Sequence, residues 1–295
     1  MRKYMESELI VNPDGSIYHL KLQPGQVAGT VILVGDQQRV AEVSKHFSKV
    51  EVRVQNREFL THTGVFDNHR ITVMSTGIGT DNIDIVLNEL DALVNIDLGS
   101  RVDKEKHTSL DIIRLGTSGA LQPDIAVDSF VASRYGLGFD GLLHFYSHNA
   151  ALTETDMEAA FAAHTGWDAR LPYPYIVGAS ERLMKQLAGG LAQGITATAN
   201  GFFGPQGREL RIPLAFPSLN QAIENFEFGG HRITNFEMET SALYALARIL
   251  GHQALTVCAI IANRVRKEYS KDYKTPVADM IRLVLERIVA AAARH

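Results

Sequence analysis

Short apolar runs along the chain alternate with stretches in which apolar residues recur every three or four positions, the signature of strands interleaved with helices. Residues 31–34 form the first run. It ends at Gly35 and leads into Val40, Val43, Ser44 and Phe47, spaced as one face of a helix. Residues 60–65 and 70–74 flank Asp67-Asn68, a turn pair of the kind that closes a hairpin. A loop, Ser75-Thr76-Gly77-Ile78-Gly79, follows, and then Ile83, Val86, Leu87, Leu90, Leu93 and Val94 mark an amphipathic helix. The polar stretch 97–109 reads as a solvated surface insertion. Residues 112–115 predict a further strand closed by a loop, Gly116-Thr117-Ser118-Gly119, and 125–131 predict another. Later strands are predicted at 195–199 and 255–262, and helices at 238–250 and 277–294. The last helix carries an unbroken stripe of Val277, Met280, Ile281, Val284, Leu285, Ile288 and Val289.

This alternation, with no internal repeat or long linker, predicts one α/β domain over 1–295, with 1–17 as an N-terminal extension. Apolar strands between helices imply a mostly parallel or mixed sheet covered on both faces. Ligands of such sheets bind at the carboxyl ends of the strands, where Gly35, Gly77 and Gly116 are expected.

Composition narrows the chemistry. The 295 residues are 45% hydrophobic, enough for a full core, and 29 basic against 33 acidic residues leave a net charge of -4. Such a balance offers no surplus of positive charge to a nucleic-acid backbone. The start lacks a secretory pattern and no uncharged stretch approaches a membrane span, so a cytoplasmic protein with no membrane contact is expected. The single cysteine, Cys258, lies in the predicted strand 255–262, where a buried inert thiol is the simplest expectation.

Several motifs invite chemistry. Gly136-Leu137-Gly138-Phe139-Asp140-Gly141 matches a dinucleotide fingerprint letter for letter, but it does not follow the first strand and does not open a helical pattern. His144 and His148 are four apart without an HExxH context, so no metal site is predicted. Arg39, Arg57 and Arg114 each lie near a predicted strand end, and their forked guanidinium groups suit a tetrahedral oxyanion, with glycines letting backbone N–H groups approach. Glu237-Met238-Glu239 precedes a helix. Carboxylates there can favour the helix dipole, or they can accept hydrogen bonds from neighbouring sugar hydroxyls.

Five segments carry a resemblance: Val34-Gly35-Asp36-Gln37-Gln38-Arg39, Asn56-Arg57-Glu58-Phe59, Ser75-Thr76-Gly77-Ile78-Gly79, Arg114-Leu115-Gly116-Thr117-Ser118-Gly119-Ala120 and Asn235-Phe236-Glu237-Met238-Glu239. Together and in this order they resemble the uridine phosphorylase branch of the nucleoside phosphorylase family, from about Tyr18 to the C-terminal helix. The resemblance implies a single domain around a mixed, partly barrel-like sheet, assembled into homodimers and commonly hexamers. It implies a phosphate site of Gly35, Arg39, Arg114 and Thr117, completed by Arg57 of a neighbouring subunit. It further implies that Glu239 and Met238, with Glu237 alongside, hold ribose, and that His19 reaches the 5′-hydroxyl across the dimer. Phe202, Gln206, Arg208 and Arg264 would bind the base, and nucleoside and inorganic phosphate would be the substrates, with no cofactor. A Gln donor and acceptor beside an Arg donor suits the N3–H and carbonyl oxygens of uracil. Relatives acting on purines carry a Ser-Asp pair after the late strand, where this chain reads Ala262-Asn263-Arg264. Gln37-Gln38 and Phe203-Gly204-Pro205 depart from the usual turns, and Asn82 replaces a serine near a potassium site, so no such ion is predicted. A hydrolytic nucleosidase on the same fold and a nucleoside-binding protein without catalysis remain the competing readings.

Overall fold

The computed structural model, which describes residues 3–293, realises the first predicted unit as β1 (Thr30–Val34) followed by α1 (Gln37–Ser44). Asp36 caps α1 by accepting the Arg39 N–H at 2.9 Å. Then come β2 (Lys49–Asn56), β3 (Phe59–Phe66) and β4 (His69–Ser75). Asp67 and Asn68 both have positive φ (44° and 64°), the pairing that a tight hairpin turn requires. α2 (Thr80–Asn95) carries the predicted stripe, and Ile83, Val86, Leu87 and Leu90 are fully buried. The 97–109 stretch begins with a two-residue ladder, β5 (Ile96–Asp97) with β6 (Val102–Asp103), and is otherwise mostly exposed.

β7 (Asp111–Ala120) corrects one expectation: the strand does not close at Gly116 but runs on through Gly119. β8 (Phe130–Gly138) corrects another, because only Phe130 and Val131 of the predicted 125–131 strand belong to it. Arg134 interrupts the apolar pattern of β8, and it is drawn to the surface by a two-pronged ion pair with Glu181 (2.6 and 2.9 Å). Among the elements not predicted are α3 (Thr155–Thr165), β9 (Tyr175–Gly178) and α4 (Glu181–Leu187). β10 (Ala192–Thr198) is followed by α5 (Leu219–Glu224), β11 (Glu227–Phe228) and β12 (His231–Glu237). α6 (Thr240–Ile249), β13 (Gln253–Asn263), β14 (Glu268–Tyr269) and α7 (Lys274–Ala292) complete the chain. The predicted helix end at Arg294 lies outside the described residues.

All of these strands but β5 and β6 form a single twelve-stranded mixed sheet ordered β11-β12-β10-β8-β13-β7-β1-β4-β3-β2, with β9 on β8 and β14 on β13. β12 also pairs antiparallel with β7, Asn235 opposite Ala120 and Phe236 opposite Gly119. The sheet thereby closes on itself through β7, β13, β8, β10 and β12, and β1, β4, β3 and β2 extend from it as a wing. Buried Asn235 ties the closure: its amide donates to Ser118 Oγ (2.9 Å) and accepts from the hydroxyls of Thr196 and Thr234 (2.9 and 2.7 Å). Helices cover the sheet as their stripes require. Met280, Ile281, Val284 and Leu285 of α7 are buried, each contributing about 1.5–3 kcal/mol of transfer free energy.

Candidate active site

At the centre of β7, buried Arg114 stands between two carboxylates. Its Nη2 donates to Glu239 Oε2, and its Nη1 lies 3.2 Å from Glu237 Oε2. Burial works against the charge of this guanidinium, but Glu239 and Glu237 more than offset it and hold its pKa above the ordinary arginine value. Gly116 makes the room. A Cβ there would sit 2.1 Å from Arg114 Nη1 and 3.1 Å from Cys258 Sγ. Gly119 is less demanding, since a Cβ there would meet the stem of Arg264 at 3.4 Å, an ordinary contact. Gly116, predicted to shape an anion-binding loop, is therefore a gap in a continuous strand across which an arginine side chain lies.

The Glu237-Met238-Glu239 run also differs from a helical first turn. Glu237 is the last residue of β12 and Glu239 the cap position of α6, with half-buried Met238 between them. Glu237 accepts from Thr198 Oγ1 (2.6 Å) and from the N–H groups of Glu239 and Thr240 (3.0 Å to the same oxygen), so it anchors the helix start. Glu239 takes the Gly79 N–H on Oε1 at 3.0 Å, which ties the loop after β4 to the same centre. Burial raises the Glu239 pKa, Glu237 adds to the rise, and Arg114 opposes both.

Arg39 approaches this centre from the wing. Its Nη1 lies 3.5 Å from the Leu115 carbonyl and its Nη2 3.1 Å from the exposed Asp36 carboxylate. Burial lowers its pKa, Asp36 counteracts this, and the nearby charge of Arg114 adds to the lowering. Gly35 marks the end of β1, and its missing Cβ faces the Gly77 carbonyl at 3.9 Å. Thr117 is half-buried on β7, two residues beyond the carbonyl that Arg39 approaches. The Gln37-Gln38 turn is the first turn of α1, and Gln37 Nε2 reaches the Arg57 carbonyl at 2.7 Å.

Arg57 and His19 form a separate group at the tip of the β2–β3 turn. Arg57 is exposed, has a left-handed φ of 53° and lies over the Tyr18 ring at 5.8 Å. Asn56 Nδ2 holds the His19 carbonyl at 2.7 Å, and Glu89 of α2 holds the His19 ring (2.6 Å) and its N–H. The three predicted arginines thus split, with Arg39 and Arg114 together and Arg57 with His19.

The predicted base residues gather on the turn after β10. Arg208 lies 3.8 Å over the Phe202 ring and donates to Gln206 Oε1 at 2.6 Å, while Phe202 itself is 51% exposed. Burial, and then the charge of Arg264, lower Arg208 to about 10, which leaves it cationic at neutral pH. Arg264 reaches the same turn from the end of β13, with Nη2 on the Gln206 carbonyl and its guanidinium 5.4 Å from the Phe236 ring. Phe236 and Glu237 are consecutive on β12 and leave it on opposite faces, and Phe236 lies opposite Gly119 of β7 across the closing strand pair.

Other motifs resolve into structure. The fingerprint-like glycines end β8, and a Cβ at Gly136 would lie 3.0 Å from Ser241 Cα, so this glycine lets α6 pack on the strand. His144 and His148 each bond a different main-chain carbonyl, of Tyr173 (2.7 Å) and Tyr146 (2.9 Å). Asp91, His107 and His252 bring one ligand atom each within 4.8 Å of one another. His252 Nδ1, however, accepts the Leu110 N–H (3.2 Å), which puts the ring proton on Nε2, the atom 3.3 Å from Asp91 Oδ1. His252 therefore presents a proton, not a lone pair, to that cluster.

Cys258 is buried as expected. Burial pushes its thiol up to about 12, with Arg114 opposing. At neutral pH the folded protein should resist iodoacetamide and label only when denaturant is added. Prompt alkylation of the native protein would contradict this environment. Sequence reasoning missed Thr198, Glu89 and the Gly79 N–H, which hold Glu237, His19 and Glu239. Their partners are 39, 70 and 160 residues away in the chain, so no local spacing signals them.

Comparison with known proteins bears on the family and the fold. The phosphorylase superfamily matches residues 30–294. A uridine phosphorylase of Thermococcus kodakarensis is 31% identical over 271 residues, covering 92% of this chain and 86% of its own. The Escherichia coli uridine phosphorylase is 26% identical, covering 92% and 96% respectively. Among solved structures, a Trypanosoma brucei nucleoside phosphorylase described as having uridine phosphorylase activity superposes with a TM-score of 0.84 at 28% identity, over 96% of this chain and 99% of that one. Since the match runs from β1 into α7, and a relative above 30% identity spans nearly the same length, the chain belongs to the phosphorylase superfamily.

Proposed function

We propose that this protein cleaves uridine with inorganic phosphate, releasing uracil and ribose 1-phosphate in a reversible reaction. The observation that carries the reading is that the paired strands β7, β12 and β13 bring an Arg114–Glu237–Glu239 centre and an Arg264-held Gln–Arg cluster to one part of the sheet. In this reading Arg39, Arg114, Gly35 and Thr117 hold phosphate beneath the sugar, and Glu239 accepts from the ribose hydroxyls with Met238 against the ring. Glu237 keeps Glu239 and the start of α6 in place, as its three-sided engagement by Thr198, Glu239 and Thr240 supports. As the glycosidic bond breaks, C1′ gains cationic character and negative charge moves onto the base, where the donors of Gln206 and Arg208 oppose it. Arg264 supports the same edge, and Phe202 lies against the base face. Holding phosphate in line with C1′ removes the entropic cost of bringing two solutes together. Neither a covalent enzyme intermediate nor a cofactor is invoked.

The same reading makes the enzyme a cytoplasmic homodimer or a larger assembly of dimers, with His19 and Arg57 serving the neighbouring site. Their common anchorage through Asn56 and Tyr18 supports it, since the two residues would cross the boundary as one unit. Among the described residues no helix is long and apolar enough to cross a membrane. A pyrimidine substrate is favoured because the segment Ala262-Asn263-Arg264, where purine-specific relatives carry a Ser-Asp pair, holds no acid, and Asn263 spends its amide on the carbonyls of Gln122 and Ile125 (2.9 and 2.8 Å). Incubating the pure protein with uridine, with and without phosphate, tests the proposal. Uracil should appear only when phosphate is present. Release without phosphate would make the protein a hydrolase, and no release would leave a binding protein.

A further inference from the structure

Asn220, on α5, has no part in the assignment above, yet it touches the centre of the base-recognition turn. Its Nδ2 donates to the Gln206 carbonyl at 2.9 Å. Arg264 Nη2 donates to the same oxygen at 2.5 Å. The approach depends on Gly207, which has a φ of 66° and whose Cβ, if present, would lie 2.1 Å from Asn220 Nδ2. α5 is itself held firmly. Ile223 is fully buried in a cluster with Phe161 and Phe226, Gln122 Nε2 donates to the Glu224 carbonyl (3.0 Å), and the His164 ring bonds the Ala222 carbonyl (3.0 Å).

The two donors on the Gln206 carbonyl are not equivalent. Among the described residues Arg264 Nη1 is buried without a hydrogen-bond partner, so it retains a donor to offer a ligand. The Asn220 side chain spends its donor on the contact that holds the turn. We propose that Asn220 is a positioning residue for base recognition, fixing Gln206 to α5 so that the Gln206 amide keeps its aim while Arg264 engages the base. The kinetic half of this proposal rests on the uridine reading; the structural half does not.

Asn220→Ala and Asn220→Asp test it, the second keeping the volume of asparagine while offering no donor. Both variants should speed amide exchange in the peptide 203–208, where the N–H groups of Gln206, Gly207 and Arg208 bond back to Phe203 and Gly204. Both should raise KM for uridine about tenfold, the loss expected for one such hydrogen bond. KM for phosphate should stay within about twofold, while kcat falls with the aim of the Gln206 donor at the leaving base, a split that general loosening of the protein would not produce. Unchanged exchange in either variant, an unchanged uridine KM, or a phosphate KM that rises in step would overturn the assignment. If the unaltered protein released no uracil from uridine, the functional reading would fall. Exchange alone would then decide the point, faster exchange upholding the positioning role and unchanged exchange ending it.

Discussion

Arg114→Ala should lower kcat/KM for uridine phosphorolysis by about a hundredfold or more, the effect of removing one preorganised transition-state contact. The expectation follows from position. Arg114 is the cation shared by Glu237 and Glu239, so its loss removes a phosphate donor and also frees the carboxylate assigned to the ribose. It should also destabilise the fold by about 3–5 kcal/mol, because two buried carboxylates lose their counter-charge. Arg114→Lys separates the two effects. It restores a charge and much of the stability, but a single ammonium cannot reach both carboxylates and an anion as a forked guanidinium does. Kinetics at limiting phosphate, with thermal melting alongside, would check this. Near-normal turnover of the alanine variant at low phosphate would remove Arg114 from the phosphate site.

Gly116→Ala should be nearly as damaging although it adds only a methyl group. The new Cβ would lie 2.1 Å from Arg114 Nη1 and 3.0 Å from Cζ, so the guanidinium must move by more than a bond length or leave its carboxylates. A displacement of about 1 Å in a reacting constellation costs on the order of a hundredfold in rate. The overpacking adds about 1–3 kcal/mol of destabilisation. Steady-state kinetics and a crystal structure of the variant would test the point together. An alanine enzyme with kcat/KM within a few fold of the parent, and Arg114 unmoved, would show that the gap at Gly116 is not needed.

Where a residue's own neighbours in sequence determine its structure, the chain was readable. Asp67-Asn68 marks its hairpin because both residues tolerate a left-handed backbone, and both adopt it. The α7 stripe is readable because helix period and burial coincide. Gly116 was not, because a glycine that makes way for a side chain looks the same in sequence as one that shapes a loop. Only the placement of Arg114 tells the two apart. β8 was offset because Arg134 breaks its apolar pattern, and its partner Glu181 is 47 residues away. In the candidate site, residue types and order were legible through resemblance to a family. Who holds whom was not, as with Glu237, which the resemblance sets alongside Glu239 at the ribose and which is held by Thr198 and by the N–H groups of Glu239 and Thr240.

The antiparallel contact of β12 with β7 bears on how the molecule comes apart. A strand inside a closed ring has no free edge from which to fray, so the strands that carry Arg114 and Glu237 can part only if the ring itself opens. The turn bearing Phe202 and Gln206 lies outside the ring, and side-chain donors from Asn220 and Arg264 fasten it instead of a strand ladder. Sugar and phosphate would thus meet a surface as durable as the whole fold, and the base a surface whose hold rests on individual side chains.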